Sequence, residues 1–312
     1  MITVDHLTKY YGHIKAVDDI SFHIKDGEIL GFLGPNGAGK STTLRIITSY
    51  LMPTSGNIYI NDMNILDDSL DIRKNIGYLP ENNPLYSEMN VYDFLKFSAS
   101  IRGIEGEAFE KRLKEVIELC GLYGVIHNQI GKLSKGYRQR TGLAQSIFHN
   151  PEILILDEPT AGLDPNQIVE IRSLIKQLGK EKTVIISSHI LQEIQATADR
   201  MVIINKGKIA ADGTIDDLMS GFKGCTRLHL EIEGADSFDA LKEIHENVNL
   251  VQVEPKKNST SIVLEYPNTL DLRKDVFQLI VKKGWTLLEM NRYQTSLEDL
   301  FRILTMEEGG EV

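Results

Sequence analysis

The sequence reads Gly34-Pro35-Asn36-Gly37-Ala38-Gly39-Lys40-Ser41 directly after an apolar run, and Thr42 continues into a helix-forming segment. This octapeptide matches the phosphate-loop pattern G-x-x-x-x-G-K-[ST] at every fixed position. Glycines let successive backbone N–H groups turn toward one centre, where an anion binds. The pattern predicts a strand, a nucleotide-binding loop and a helix, with Lys40 on the β- and γ-phosphates and the Ser41 hydroxyl on Mg²⁺.

A second apolar run, Ile153–Leu156, ends in the two acids Asp157 and Glu158. A parallel strand that is buried on both faces presents its functional groups at its carboxyl end, where ligands bind in open α/β sheets. We expect Asp157 to hold Mg²⁺ and Glu158 to act as general base on an attacking water. The alternative is a pair of solvated carboxylates at a strand end. The position downstream of a phosphate loop favours the functional interpretation.

The order of strand and helix patterns predicts an α/β protein with two domains. Residues 1–220 begin with short strands, turn helical at about 82–150, and then alternate strand and helix, which is typical of a parallel sheet flanked by helices. The composition changes at 220–224. Residues 225–312 then repeat a β-α-β-β-α-β order, with its first helix at Phe238–Glu246, which predicts a small α+β ferredoxin-like domain.

Composition and charge narrow the class of protein. The chain has 312 residues, of which 42% are hydrophobic and 25% charged, as in a globular protein. Its formal net charge of −10 argues against a nucleic-acid partner, which usually demands a basic face. We find neither a signal peptide nor an apolar stretch of the ~20 residues that span a bilayer. We therefore expect a cytoplasmic protein, with Cys120 and Cys225 as reduced thiols.

The segment Leu133–Arg140, LSKGYRQR, lies between the phosphate loop and the acidic strand. Together these three motifs make the sequence resemble the ABC-type ATPases, whose signature is Leu-Ser-Gly-Gly-Gln and whose P-loop fold adds an antiparallel β subdomain and a helical subdomain. The chain departs from this signature at Lys135 and Tyr137 but keeps Ser134 and Gly136, a hydroxyl and a bare N–H at a helix start. The resemblance implies that these two contact the γ-phosphate bound by a second copy, so that ATP is sandwiched in a head-to-tail dimer. Ser134 is also a plain helix N-cap candidate, and the two roles are compatible.

Further residues match the ABC family by position. The segment Ala161–Asp164 follows the acidic strand where the family has its D-loop, and the resemblance implies that Asp164 touches the second copy. It implies that His189, after the strand predicted at Thr183–Ser187, contacts the γ-phosphate and orients the attacking water; a lone histidine at a strand end is otherwise usually structural. Tyr11 corresponds to the aromatic residue that stacks on adenine, and the neighbouring Tyr10 is a competing candidate.

The segment Ile76–Glu81 matches the family's Q-loop except in the residue that gives it its name. The family usually has Gln where this chain has Glu81. A carboxylate is a harder oxygen ligand that serves the same ion, so we predict that Glu81 is a working Mg²⁺ ligand and contacts the attacking water. This replacement, the following Asn82–Tyr86 and the small C-terminal domain resemble ATP-binding subunits of ABC-2 type exporters, especially the multidrug-exporter and gliding-associated ATPases. The resemblance is strong over the first ~220 residues and weak beyond.

The resemblance implies a subunit that binds and hydrolyses ATP and drives a separate integral-membrane permease from the inner face of the cell membrane. The segment 85–97 is rich in apolar and aromatic residues, and these are either the permease-docking surface or ordinary helix core. They are Leu85, Tyr86, Met89, Val91, Phe94 and Phe97. The alternatives are a soluble ABC ATPase acting on ribosomes or DNA, a non-hydrolysing regulatory subunit, and an importer subunit. A single cassette without sustained heptads argues against the first. Glu158 and His189 argue against the second, and Glu81 with the C-terminal domain against the third.

Overall fold

A computed structural model of the chain describes residues 1–221, 225–234, 238–242, 244–267, 270–294 and 297–305. These residues divide into two compact units, the first formed by Met1–Thr214 and the second beginning at Ile215. The sequence placed the boundary at 220–224, of which 222–224 lie outside the described residues, as does the predicted end of the second domain at 306–312. Each unit has an apolar core of its own.

The first unit contains most of the strands. They are β1 (Ile2–Tyr11), β2 (Ile14–Ile24), β3 (Ile29–Leu33), β4 (Ser55–Ile60), β5 (Met63–Asn64), β6 (Ile76–Leu79), β7 (Ile153–Asp157), β8 (Thr183–Ser188), β9 (Arg200–Asn205) and β10 (Lys208–Gly213). Its helices are α1 (Lys40–Ile47), α2 (Ser69–Asn75), α3 (Val91–Ile101), α4 (Gly106–Cys120), α5 (Lys135–Ile147), α6 (Pro165–Gly179) and α7 (Leu191–Gln195).

The core sheet is predominantly parallel, as the strand order predicts. Within the described part of the chain it has six strands in the order β10-β9-β3-β8-β7-β6, and only β10 runs antiparallel to its neighbour. Every residue of β3, β7 and β8 is buried, which explains why these strands are continuous apolar runs. Because the three strands are parallel, their carboxyl ends lie at the same edge of the sheet, where the phosphate loop, the acidic pair and His189 follow them.

A second, antiparallel sheet covers the first. Its described strands have the order β2-β1-β4-β5. One apolar cluster contains residues from both sheets, among them Ile2, Phe32 and Ile155. The helices α3, α4 and α5 pack on one another in the stretch that the sequence assigned to a helical region.

The second unit has the β-α-β-β-α-β order that the sequence predicts. After α8 (Ile215–Gly221) its elements are β11 (Cys225–Glu233), α9 (Asp239–Lys242), β12 (Asn249–Pro255), β13 (Thr260–Pro267), α10 (Arg273–Lys283), β14 (Thr286–Gln294) and α11 (Leu297–Thr305). The described strands form an antiparallel sheet in the order β12-β13-β11-β14. This order is that of a ferredoxin-like fold.

The helix predicted at Phe238–Glu246 is shorter in the structure. It ends at Lys242, Glu243 lies outside the described residues, and Ile244 begins a turn. In this turn the Asn247 N–H donates to Nδ1 of His245, at 3.2 Å, which is a local side-chain contact typical of turns. Among the described residues, no helix is long and apolar enough to cross a membrane.

Candidate functional site

The phosphate loop connects β3 to α1 and has the backbone that its glycines permit. Gly37 and Gly39 have φ angles of 79° and 109°, in the region that favours glycine. A Cβ atom on Gly39 would lie 2.5 Å from the carbonyl oxygen of Ala16, so only glycine fits there. Helix α1 begins at Lys40, and its first N–H groups therefore point into the loop, as anion binding requires.

Lys40 is buried within the loop that it follows. Its Nζ donates to the carbonyl oxygens of Gly34, at 2.7 Å, and Pro35, at 3.2 Å. The same Nζ lies 3.4 Å from Oε1 of Glu158. The ammonium group is thus held between the loop and the acidic strand, within reach of both.

Asp157 is the last residue of β7 and is fully buried. Its Oδ1 accepts from the hydroxyls of Ser41, at 3.1 Å, and Ser187, at 2.6 Å. Its Oδ2 is buried and has no hydrogen-bond partner among the described residues. A buried carboxylate oxygen without a donor is costly, so the site favours a cation at this position.

Glu158 adopts a backbone conformation that is rare for a residue with a side chain, with φ at 51°. Its N–H donates to the Ser187 hydroxyl at 2.9 Å. Its Oε2 lies 2.9 Å from Nδ1 of His189. An ionised carboxylate only accepts, so Nδ1 carries the hydrogen of this bond and Nε2 is left for a second contact.

Lys40, Glu158 and His189 line a cavity of about 430 Å³, which we call the phosphate-loop cavity. It is lined by Ala16, Asn36, Gly37, Gly39, Lys40, Ser41, Thr42, Glu81, Glu158, Ala161 and His189. The structure thus brings together side chains that the sequence singled out for phosphate binding, metal binding and catalysis. Glu81 reaches this cavity from the segment after β6, at the far side of the sheet from β9 and β10.

The donors at this cavity suit Mg²⁺. The Ser41 hydroxyl and the Glu81 carboxylate are hard oxygen ligands that line it. Asp157 is absent from its described lining, but its carboxylate accepts from Ser41 and has a second oxygen without a partner. Among the described residues, no group of three or more His, Cys, Asp and Glu side chains is arranged to hold a metal ion. Mg²⁺ in nucleotide sites needs no such group, because phosphate oxygens and water complete its coordination.

Ser134, Gly136 and Asp164 are absent from the described lining of the phosphate-loop cavity. Ser134 caps α5, where its hydroxyl accepts from the N–H of Tyr137 at 3.4 Å, so the N-cap interpretation holds. Asp164 caps α6 by accepting from the N–H of Gln167 at 3.0 Å. A Cβ on Gly136 would lie 2.6 Å from the Gln167 carboxamide of α6, and a Cβ on Gly162 would meet the Lys135 side chain, so the signature segment packs against the D-loop and the start of α6 within one chain. Their contacts with a second copy remain a prediction.

Tyr10 and Tyr11 lie at the end of β1, and both rings are partly exposed. Each has a lysine ammonium over its ring, Lys15 at 5.4 Å from the Tyr10 centroid and Lys9 at 5.6 Å from the Tyr11 centroid. Neither ring belongs to the described lining of the phosphate-loop cavity. The assignment of Tyr11 to adenine stacking therefore stays a prediction.

Sequence reasoning missed Ser187, which is fully buried and contacts both members of the acidic pair. Its hydroxyl donates to Asp157 and accepts from the N–H of Glu158. The signal was present, since two hydroxyl residues end the apolar strand β8 just as two acids end the apolar run of β7. Polar residues at the end of a buried parallel strand support the same functional interpretation in both cases.

Comparisons with known proteins identify the family of this chain. The family model described as "ABC transporter" matches residues 17–161. The bacitracin transport ATP-binding protein BcrA of Bacillus licheniformis is 36% identical over 303 residues, which cover 96% of this chain and 96% of BcrA. The linearmycin resistance ATP-binding protein LnrL of Bacillus subtilis (strain 168) is 36% identical over 235 residues, or 75% of this chain and 76% of LnrL.

A solved structure supports the same conclusion. The ATP-binding cassette MJ0796, a dimer in a post-hydrolysis state bound to ADP and Pi, superposes with a TM-score of 0.64 at 26% identity, over 69% of this chain and 99% of that chain. The resemblance and the fold class inferred from the sequence are confirmed. The chain belongs to the ABC transporter ATP-binding proteins and is the ATPase subunit of such a transporter.

Proposed function

We propose that this chain is the hydrolysing subunit of an ABC-2 type exporter and that two copies work on a separate integral-membrane permease. The observation that carries hydrolysis is the contact of Glu158 with both Lys40 and His189 at the phosphate-loop cavity. Export is supported by the relatives, since BcrA is named for bacitracin transport and LnrL for linearmycin resistance. A cytoplasmic location, at the inner face of the cell membrane, follows from this proposal.

The phosphate loop binds the nucleotide in this proposal. Its N–H groups and the start of α1 hold the phosphate oxygens, and Lys40 exchanges its loop carbonyls for the β- and γ-phosphates. Ser41, Asp157 and Glu81 would hold Mg²⁺, which when bound neutralises charge on the phosphates. Tyr11 stacks on adenine.

Glu158 accepts the proton of the water that attacks the γ-phosphorus, so it acts as general base, and the bond from this phosphorus to the bridging oxygen breaks to release ADP. His189 donates to Glu158 through Nδ1, which fixes the carboxylate and leaves Nε2 as an acceptor that orients the attacking water. A hydrogen bond from Nε2 to the γ-phosphate requires the ring form in which both nitrogens carry hydrogen. The backbone of Glu158 supports this role, because the N–H bond to Ser187 holds the residue in its rare conformation. A strained, over-determined residue at a cavity is a recurrent feature of catalytic sites.

A second copy completes each site. Ser134 and Gly136 supply a hydroxyl and an N–H to the γ-phosphate of the other chain, and Asp164 contacts that chain from the D-loop. The γ-phosphate is then a ligand of the closed pair only, and hydrolysis removes it. Closing and opening of the pair drives the permease.

The test is ATPase turnover and molecular mass, with and without Mg-ATP, for the wild type, Glu158→Gln and the exposed control Glu181→Gln. We expect Glu158→Gln to lose turnover by roughly 10²–10⁴-fold, as for removal of a general base, while it accumulates an ATP-dependent dimer. The control should resemble the wild type. Normal turnover of Glu158→Gln, or no ATP-dependent dimer in any variant, contradicts the proposed mechanism.

A further inference from the structure

A buried carboxylate joins the segments that leave β7 and β8. Glu193 lies on α7 and is only 9% exposed. Its Oε2 accepts from the hydroxyl of Thr160 at 2.6 Å and from that of Ser188 at 2.9 Å. Glu193 is absent from the described lining of the phosphate-loop cavity, so any effect on the site passes through Thr160 and Ser188.

The Thr160 end of this connection leads to the D-loop. Thr160 is buried and stands two residues after Glu158. Its carbonyl oxygen accepts from the N–H of Leu163 at 3.2 Å, which forms the turn before Asp164 caps α6. Fixing the Thr160 side chain therefore fixes where the D-loop starts.

The Ser188 end leads to His189. The Ser188 hydroxyl donates to Glu193 and accepts from the N–H of Ile190 at 3.0 Å. The Ser188 side chain thus bridges the main chain on both sides of His189. The Ser188 carbonyl oxygen accepts from the N–H of Gly34 at 3.3 Å, at the start of the phosphate loop. The main chain around His189 is thus held by contacts that converge on Ser188.

The strength of these contacts follows from burial and charge. Hydrogen bonds to a carboxylate are about twice as strong as neutral ones, and burial makes the loss of an acceptor costly. Without Glu193, both hydroxyls would lose this acceptor inside the protein. Displacement of a catalytic group by ~1 Å can lower a rate by up to ~10²-fold.

We propose that Glu193 is a positioning residue for ATP hydrolysis, which holds His189 and the start of the D-loop in one fixed relation. A displacement of His189, beside Glu158, is then accompanied by a displacement of the D-loop that carries Asp164. This inference rests on the roles proposed above for His189 and Asp164.

The first experiment compares Glu193→Ala and Glu193→Gln with the wild type in steady-state ATPase assays. We expect Glu193→Ala to lower kcat roughly tenfold and leave the KM for ATP within about twofold, because the phosphate loop keeps its own contacts. Glu193→Gln should retain most of the activity, since its carboxamide oxygen accepts the same two bonds. An unchanged kcat in Glu193→Ala, or equal losses in both variants, overturns the proposal.

The second experiment is a double-mutant cycle on kcat with Thr160→Val and Ser188→Ala. Because both hydroxyls donate to one oxygen, their effects should be non-additive by roughly threefold or more, and the coupling should vanish when Glu193 is alanine. Ser173→Ala, which removes an exposed hydroxyl bonded within α6, is the matched control and should leave kcat unchanged. Additive effects overturn the proposal. The cycle in the wild-type background decides the question even if Glu193→Ala fails to fold.

The outcome for Glu158→Gln separates this inference from the proposed mechanism. If that variant retains turnover, the assignment of the general base fails, and the hydroxyl cycle still measures coupling through Glu193. If that variant is inactive and the cycle is additive, the mechanism stands and only the role of Glu193 is wrong.

Discussion

Glu158 illustrates how one residue is held in a conformation that it would not choose. A left-handed backbone costs a non-glycine residue about 1–2 kcal/mol. The bond from its N–H to Ser187 and the contacts of its carboxylate with Lys40 and His189 offset that cost. Because these partners come from other segments of the chain, the conformation depends on the assembled site. Ser187→Ala would therefore disturb both acids at once.

The half-buried His149 makes the stability of the fold depend on pH. Burial lowers the pKa of His149 to about 4 from its ordinary value of 6.5, and the nearby Arg102 adds to this, while a hydrogen bond to the Ile76 carbonyl opposes it. Between these values the unfolded chain binds a proton that the folded chain does not, so the free energy of unfolding decreases as the pH falls from about 6.5 toward 4.

The measurement is urea unfolding of the wild type and His149→Gln at about pH 7 and about pH 5. The glutamine does not titrate but can still donate to Ile76. We expect the wild type to lose on the order of 1 kcal/mol more than the variant between the two pH values, discounted because the ring is half-buried and screened by solvent. Identical pH dependence in the two proteins would show that His149 is not the group responsible.

The sequence predicted the residues that belong to recognisable motifs, but not the buried residues that hold those motifs in place. Lys40, Ser41, Glu81 and Glu158 were visible because a pattern or a family position marks each of them, and all four line the phosphate-loop cavity. Glu193 was not visible, because its contacts depend on which strands lie side by side. That pairing is a tertiary property, and no local pattern encodes it.

Among the secondary-structure elements, the fully buried strands of the core sheet were predictable and its edge strand β10 was not. β3, β7 and β8 read as apolar runs, since both of their faces are covered. β10 was missed: its sequence, KIAADG, has little β propensity, and it forms by antiparallel pairing with β9 at the edge of the sheet. Tertiary pairing overrode local preference there.

Helix α3 and the segment before it separate into core and surface. Val91 and Phe94 are 0% and 4% exposed and belong to the core, whereas Tyr86 and Phe97 are 52% and 40% exposed. The Tyr86 and Phe97 rings pack together, with centroids 5.8 Å apart. Of the segment proposed for permease docking, this aromatic pair is therefore the most exposed part, while Leu85 and Met89 are half-buried.

We predict that Tyr86→Ala lowers transport severalfold, because it removes an exposed ring of this pair, and leaves nucleotide affinity within about twofold. Transport by the assembled exporter and ATP affinity of the subunit are the two measurements. Tyr123→Ala is the matched control, since Tyr123 is also exposed but lies outside this segment. An unchanged transport rate in Tyr86→Ala would show that the permease does not dock at Tyr86.

At the scale of the whole molecule, the two apolar cores predict two unfolding transitions. The described lining of the phosphate-loop cavity comes from the first unit alone. A bound nucleotide should therefore raise the Tm of the first unit's transition and leave that of the second unit unchanged. With a non-hydrolysable ATP analogue at ~100 times its Kd the stabilisation is about 2.7 kcal/mol, or roughly 5–10 °C in Tm. Scanning calorimetry of the full chain measures this, and Lys40→Ala should abolish the shift. A single transition that moves as a whole would contradict it.

The position of β3 in the core sheet determines how long this strand lacks its neighbours during synthesis. Its neighbours are β8 and β9, and β8 begins 150 residues after β3 ends, from Leu33 to Thr183. At a synthesis rate of ~5–20 residues per second, β3 waits roughly 8–30 s on the ribosome before either neighbour has been made. During that interval an apolar strand with two open edges is exposed to aggregation, and the phosphate loop has been made without its catalytic partners. The geometry that places the loop at the centre of the finished sheet thus leaves its strand without neighbours until β8 and β9 have been synthesised.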